Sequence, residues 1–170
     1  MSMTFSDIPS GASIYVDANV FLYVFTRKSA DCTALIERCR RDEIFGLSAT
    51  HVLAEVCHRA MGMESAALLG QPRVSAEYLK RHPDVIRRLT KYSSFIADVV
   101  QQWNLTIFTV SPDVVLRSQS IRDSYGLMTN DSISVQIVSE YGIDGIATDD
   151  PDFNSVTGIT VYAPTDVRGS

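Results

Sequence analysis

A chain of 170 residues with 45% hydrophobic content is long enough for one domain with its own core, too short to argue for two, and too apolar to be disordered. Its net charge of −5 argues against a protein that coats nucleic acid non-specifically through a broad basic surface, though not against a nuclease. No apolar run reaches ~18 residues, so no membrane span is expected. The opening MSMTFSDIPSG lacks the basic and apolar regions of a signal peptide, and Cys32, Cys39 and Cys57 are odd in number with no C-x-x-C. These features predict a cytoplasmic location with reduced thiols.

In chain order, residues 14–16 (Ile-Tyr-Val) predict a short buried strand ending at Asp17, and the apolar run 20–25 a short helix. Helical spacing of Leu35, Ile36 and Cys39 marks a helix over 30–41, and 44–47 a second strand. Thr50 is expected to cap a helix carrying Val52, Leu53, Val56 and Ala60. Two glycines and Pro72 interrupt residues 62–82, which give no clear period. A long helix is predicted from Asp84 to Trp103, followed by a strand over 105–110. Ser111-Pro112 opens a helix running to about Ser124. Thr129 or Asn130 is expected to cap a helix from about Asp131 to Tyr141, stopped by Gly142. Residues 145–148 and 160–162 complete the strands. Short apolar strands alternating with helices predict a three-layer α/β/α fold with a central parallel sheet. Residues 62–92 read as a helical insertion within one domain spanning 1–170.

Ligands of open α/β sheets bind beyond the carboxyl ends of the strands. Asp17 follows the first strand, and Asp149, Asp150 and Asp152 follow the strand at 145–148. Asp131 begins a helix, and Glu55 lies about a turn and a half into its own. Asp17 and Glu55 sit among apolar residues, where a carboxylate costs several kcal/mol unless paired or metal-bound. A buried arginine or a backbone cap accounts for any one of them taken alone. It does not account for the set, because the basic residues lie mostly outside these segments.

The motifs IYVDANVFL around Asp17, SATHVLAEV around Glu55, Asp131 at its helix start and GIATDDPDF from Gly145 to Phe153 resemble the PIN domain in order and spacing, most of all the VapC-type toxins. The D-x-N and T-x-D-x-D-F registers of that family imply Asp150 as the fourth acid, Asp152 as an accessory one and Asp149 as a variable position. The resemblance implies a ribonuclease with Asp17, Glu55, Asp131 and Asp150 as catalytic residues. It also implies a homodimer that binds a small antitoxin protein.

The chemistry is consistent with that set. Phosphodiester hydrolysis needs an activated water and a stabilised leaving oxygen, and two divalent ions ~4 Å apart supply both. An all-oxygen site without His or Cys suits Mg²⁺ or Mn²⁺. Asp17, Asp131, Asp150 and Asp152 are the expected metal ligands. Asn19 would hold a carboxylate or a water, and Thr148 would bond near Asp17. A zinc site from His51, Cys57 and His58 lacks the H-E-x-x-H spacing. Arg87, Arg88 and Lys91 form a small basic patch, read as a solvated helix face rather than a grip on RNA phosphates, and Phe21, Tyr23, Phe25 and Trp103 read as core or dimer face. A haloacid-dehalogenase-like phosphatase also starts with an aspartate after its first strand, but needs a second aspartate where this chain has Asn19. A PIN fold that only binds protein is the non-enzymatic alternative.

Overall fold

The structure is a computed structural model describing residues 3–167. Six parallel strands form one sheet in the order β1-β6-β5-β2-β3-β4. They are β1 (Met3–Thr4), β2 (Ser13–Val16), β3 (Phe45–Ala49), β4 (Thr106–Phe108), β5 (Gly145–Ala147) and β6 (Val161–Ala163). The helices are α1 (Ala18–Phe25), α2 (Ala30–Arg40), α3 (Thr50–Leu69), α4 (Ala76–Arg81), α5 (Pro83–Arg87), α6 (Lys91–Gln102), α7 (Pro112–Arg117), α8 (Gln119–Tyr125) and α9 (Thr129–Glu140). This is the three-layer α/β/α arrangement expected. The reading of one domain over 1–170 extends at both ends beyond the described residues.

The central strands are apolar on both faces, as a helix-covered parallel sheet requires. Ile14, Tyr15 and Val16 of β2 and Ile146 and Ala147 of β5 are fully buried. Gly145 has a steric reason: a Cβ there would lie 2.6 Å from the Tyr162 ring and 2.9 Å from the Thr160 carbonyl oxygen. It lets β6 close against β5. The chain leaves β2 toward β3 and β4 on one side, while β5 and β6 lie on the other. The gap between β2 and β5 is therefore the topological switch point.

Several boundaries differ from those the sequence predicts. The two-residue strand β1 pairs with β6, Met3 opposite Tyr162 and Thr4 opposite Ala163, and is too short to show alternation. Ala49 and Met128, not Thr50 and Thr129 or Asn130, hold the N-cap positions of α3 and α9. Helix α3 runs straight through Gly62 to Leu69. A glycine inside a helix costs only ~1 kcal/mol, less than the burial of Val56, Ala60 and Ser65 along one face returns. Gly70 ends that helix with φ +62°, as Gly142 ends α9 with φ +61°.

The long helix expected over 84–103 is two helices, because the carboxylate of Glu64 starts a new one. It accepts from the amides of Thr90 (2.9 Å), Lys91 (3.0 Å) and Tyr92 (2.8 Å). The helix after Ser111 also breaks, at buried Ser118, whose hydroxyl donates to the Val115 carbonyl at 2.7 Å. Arg122 of α8 then donates to Ser118 Oγ (2.9 Å) and Ser132 Oγ (2.8 Å), fastening α8 to α9. Residues 62–92 are helical as expected, made of the last turns of α3, helices α4 and α5, and the start of α6. Phe21 stacks on Trp103 with centroids 6.1 Å apart, and Phe25 meets Phe95 edge-on at 5.1 Å. Phe21 and Trp103 are core.

Candidate active site

Neighbouring strands β2 and β5, in register Val16 opposite Ala147, deliver two segments to one point. Asp17 caps α1, its Oδ1 accepting from the Ala18 amide at 2.7 Å. Its Oδ2 accepts from Asn19 Nδ2 at 2.9 Å and from the Thr148 hydroxyl at 2.8 Å. Thr148 Oγ1 in turn accepts from Asn19 Nδ2 (2.9 Å) and the Asp150 amide (3.0 Å). Asn19 Oδ1 accepts from the Asp149 amide at 3.2 Å. Asn19 and Thr148 thus tie the two strand ends together and hold the Asp17 carboxylate still.

Asp150 caps the short 3₁₀ turn Pro151–Ser155, its Oδ1 accepting from the Asp152 amide at 2.9 Å. Asp152 is exposed at the outer edge of that turn. Asp149 points elsewhere: its Oδ2 accepts from the Tyr23 hydroxyl of α1 at 2.8 Å. Burial, and then this bond, push the Tyr23 phenol up to about 12. The register that separates Asp149 from Asp150 therefore has a geometric counterpart.

Glu55 and Asp131 face these residues from α3 and α9, and with Asp150 they line a cavity of about 450 Å³. Glu55 Oε2 accepts from Asn130 Nδ2 at 3.0 Å, and its Oε1 lies 3.3 Å from Arg59 Nη1. Asn130 thus tethers Glu55 from the first turn of α9. Asp131 accepts no side-chain or backbone hydrogen bond among the described residues, although it is partly buried.

The electrostatics follow from this crowding. Burial raises the Asp17 carboxyl to about 6; Thr148 and the Ala18 amide pull it down, while Glu55 and Asp150 push it up. Asp131 is raised to about 7, first by burial and then by Asp17, Asp150, Glu55 and Asp152 in that order. Every charge acting on Asp131 is negative, and an anion so placed is relieved by a cation. Among the described residues no group of three or more His, Cys, Asp or Glu closes a metal shell by itself. A divalent ion here would complete its shell with water, which suits hard Mg²⁺ or Mn²⁺. The donor set fits.

All seven residues singled out in the sequence lie on this sheet end or its walls. The histidines do not: His51 Nε2 pairs with Ser134 Oγ at 3.1 Å, and His58 lines a different cavity. Sequence reasoning missed Asn130, Arg59 and Tyr23 as partners of the acids. The i,i+4 spacing of Glu55 and Arg59 was visible; the other two pairs span 75 and 126 residues.

A PIN domain family model matches residues 14–159, and the chain belongs to the PIN-domain family. No curated protein sequence matches it. Its fold is similar to that of VapC20 from Mycobacterium tuberculosis, a sarcin-ricin loop cleaving toxin, at TM-score 0.59 and 16% identity, covering 88% of this chain and 99% of that one. It is also similar to VapBC2 from Rickettsia felis bound to a promoter DNA fragment, at TM-score 0.58 and 11% identity, covering 89% and 98%. A toxin–antitoxin complex from Klebsiella pneumoniae shares the fold at TM-score 0.54 and 16% identity, covering 91% and 100%. Among the described residues, no helix is long and apolar enough to cross a membrane.

Proposed function

We propose that the chain is a divalent-metal-dependent endoribonuclease, hydrolysing RNA phosphodiester bonds at the Asp17, Glu55, Asp131 and Asp150 cluster. The observation that carries this reading is Asp131: a partly buried carboxylate without a hydrogen-bond donor among the described residues, surrounded by four other carboxylates. A structural acid would have acquired a cationic or amide partner. Asp17, Asp131 and Asp150 would hold Mg²⁺ or Mn²⁺, with Asp152 at the outer edge. When bound, the ion supplies a polarised water and charge stabilisation at the phosphate.

The chain's own groups do the rest. Asn19 and Thr148 fix Asp17 so that its second oxygen cannot rotate away. Asn130 and Arg59 hold Glu55 from both sides, which places that carboxylate to accept a proton from an attacking water. The Asn19 amide is far too weak an acid to protonate a leaving group, so the phosphatase reading lacks its general acid. The full acid set argues against a purely protein-binding role.

Similarity of fold to VapC-type toxins supports a role as the toxin of a toxin–antitoxin pair, with a small antitoxin protein as partner; a homodimeric state and a cytoplasmic location complete this reading as what the family resemblance implies. The single sheet supports one domain over residues 1–170. The deciding experiment is cleavage of labelled single-stranded RNA in Mg²⁺ or Mn²⁺. Full-rate cleavage in excess chelator rules the reading out.

A further inference from the structure

A second cavity, of about 520 Å³, opens beside the acid cluster between α3, the α1–α2 loop and the α3–α4 loop. Lys28, Arg59 and Arg73 line it, together with the His58 imidazole, and among the described residues no carboxylate does. This is notable in a chain with 20 acidic residues against 15 basic ones. Buried Leu79 supplies an apolar floor, and Met63 and Val74 line the cavity beside it. Lys28 and Arg73 are exposed and form no salt bridge among the described residues. Unpaired cations over an apolar floor match a nucleotide, with its phosphate on the rim and its sugar or base against the floor.

Arg59 joins this cavity to the acid cluster. It lies one helical turn beyond Glu55, with its guanidinium 3.3 Å from the Glu55 carboxylate, so one wall serves both hollows. A polyanion running through the acid cluster would meet these cations next. We infer that the Lys28–Arg59–Arg73 cavity is a subsite for a nucleotide of single-stranded RNA flanking the scissile phosphate. This rests on the ribonuclease reading for its polymer, but its test does not require cleavage. It also gives the α3–α4 loop, at the heart of the helical insertion, a role in gripping substrate.

The test is Lys28→Gln combined with Arg73→Gln, both exposed and outside the acid cluster. Binding of a labelled single-stranded RNA of about 12 nucleotides is followed by anisotropy in Mg²⁺, in an Asp150→Asn background that spares the strand. The double variant is expected to bind roughly tenfold more weakly. Its plot of log affinity against log salt should be shallower by about 0.7 for each phosphate no longer neutralised, a change that a merely structural role would not produce. Arg73→Lys should restore part of the affinity. With Asp150 intact, the double variant should raise KM for the same RNA and leave kcat unchanged.

Unchanged RNA affinity and salt slope in the double variant overturn the subsite, even if cleavage proceeds normally. Retained RNA affinity with lost affinity for a polyglutamate probe would assign the cavity to an acidic polypeptide and also overturn it. Weakened RNA binding by a protein that never cleaves would uphold the subsite and overturn the ribonuclease reading. No RNA binding by the parent protein would overturn both.

Discussion

The side-chain amide of Asn130 donates to Glu55 Oε2 at 3.0 Å, joining the start of α9 to the second turn of α3 across the acid cluster. Without that bond Glu55 keeps, among the described residues, only Arg59, which pulls it toward the neighbouring cavity. Asn130→Ala is expected to lower kcat about tenfold, the scale of removing a positioning hydrogen bond, while thermal stability stays within ~1 kcal/mol because the site is exposed. Steady-state kinetics beside melting curves check this. Wild-type kcat in the variant would show that the bond does not position Glu55.

Asp131 and Asp17 should respond differently to neutralisation. Asp131 accepts no hydrogen bond among the described residues and feels four negative neighbours. Asp131→Asn should therefore raise metal-free stability by about 1 kcal/mol. Asp17 Oδ2 accepts from two donors, Asn19 and Thr148, and an asparagine amide there would turn donor against donor. The cost of about 1–3 kcal/mol for a misplaced partner offsets the relieved repulsion, so Asp17→Asn should show no gain. Both variants should lose cleavage. Melts with and without Mg²⁺ separate the two effects, and equal stabilisation by both substitutions would contradict the geometry.

Metal-free stability should fall as pH rises through the site's own range. Both carboxyls have an ordinary value of 3.8 and are raised in the fold, Asp17 to about 6 and Asp131 to about 7. Between pH ~4 and ~7 the folded protein therefore holds protons that the unfolded chain has released. Their contribution is present in full below the unfolded value and lost above the folded ones. The expected loss is about 3 kcal/mol from buried Asp17, with a smaller share from partly exposed Asp131, which water screens. Mg²⁺ binding to the ionised native site should flatten the profile and raise Tm most at the alkaline end. Denaturant titrations across this range measure it; a metal-free stability that climbs steadily from pH 5 to 8 would refute the assignment.

The two adjacent aspartates after β5 should not be interchangeable. Asp149→Asn keeps an amide oxygen for the Tyr23 hydroxyl and leaves the acid cluster unchanged, so kcat should fall less than about threefold. Asp150→Asn removes a charge from the cluster itself and, on the proposed reading, should cost at least about a hundredfold, the upper end of what losing a group that merely orients a metal ligand costs. Parallel cleavage assays rank them, and the reverse ranking would mean that the register is misread.

The candidate site was legible in the sequence where its signal is local. Asp17 with Asn19, and Thr148 with Asp150, sit within a few residues of strand ends whose apolar runs are plain, and parallel pairing of β2 with β5 brings them together. The partners of the acids were not legible, because Asn130 and Tyr23 act on residues far away in the chain. Helix boundaries failed for a related reason. Periodicity records which face is buried, and that face continues across residues 84–103 even though the backbone turns at 88–90. The break is set by a carboxylate from another helix, which no local window contains.

That carboxylate yields the last expectation. Glu64 lies on α3 and accepts three amides at the start of α6, 26 to 28 residues later. Burial opposes its ionised form, but these amides prevail and hold its carboxyl below the ordinary value of 4.5. It does for α6 what an N-cap residue does within its own chain segment, and it adds a negative charge at the positive end of the helix dipole. Glu64→Ala should therefore cost about 1–2 kcal/mol, the scale of a missing cap. It should also loosen α6, and amide exchange at Thr90, Lys91 and Tyr92 should speed up before exchange elsewhere. Glu64→Gln keeps an acceptor oxygen but loses the charge, so it should recover part of the stability. The pH sign is opposite to that of the acid cluster: this contribution is present above the unfolded value and lost as pH falls through the lower folded one. Because Glu64 lies outside the cluster of Asp17, Glu55, Asp131 and Asp150, kcat in Mg²⁺ should remain at the wild-type level below the melting transition. A Glu64→Ala protein as stable as wild type, with α6 amides equally protected, would show that α6 starts at Lys91 for some other reason.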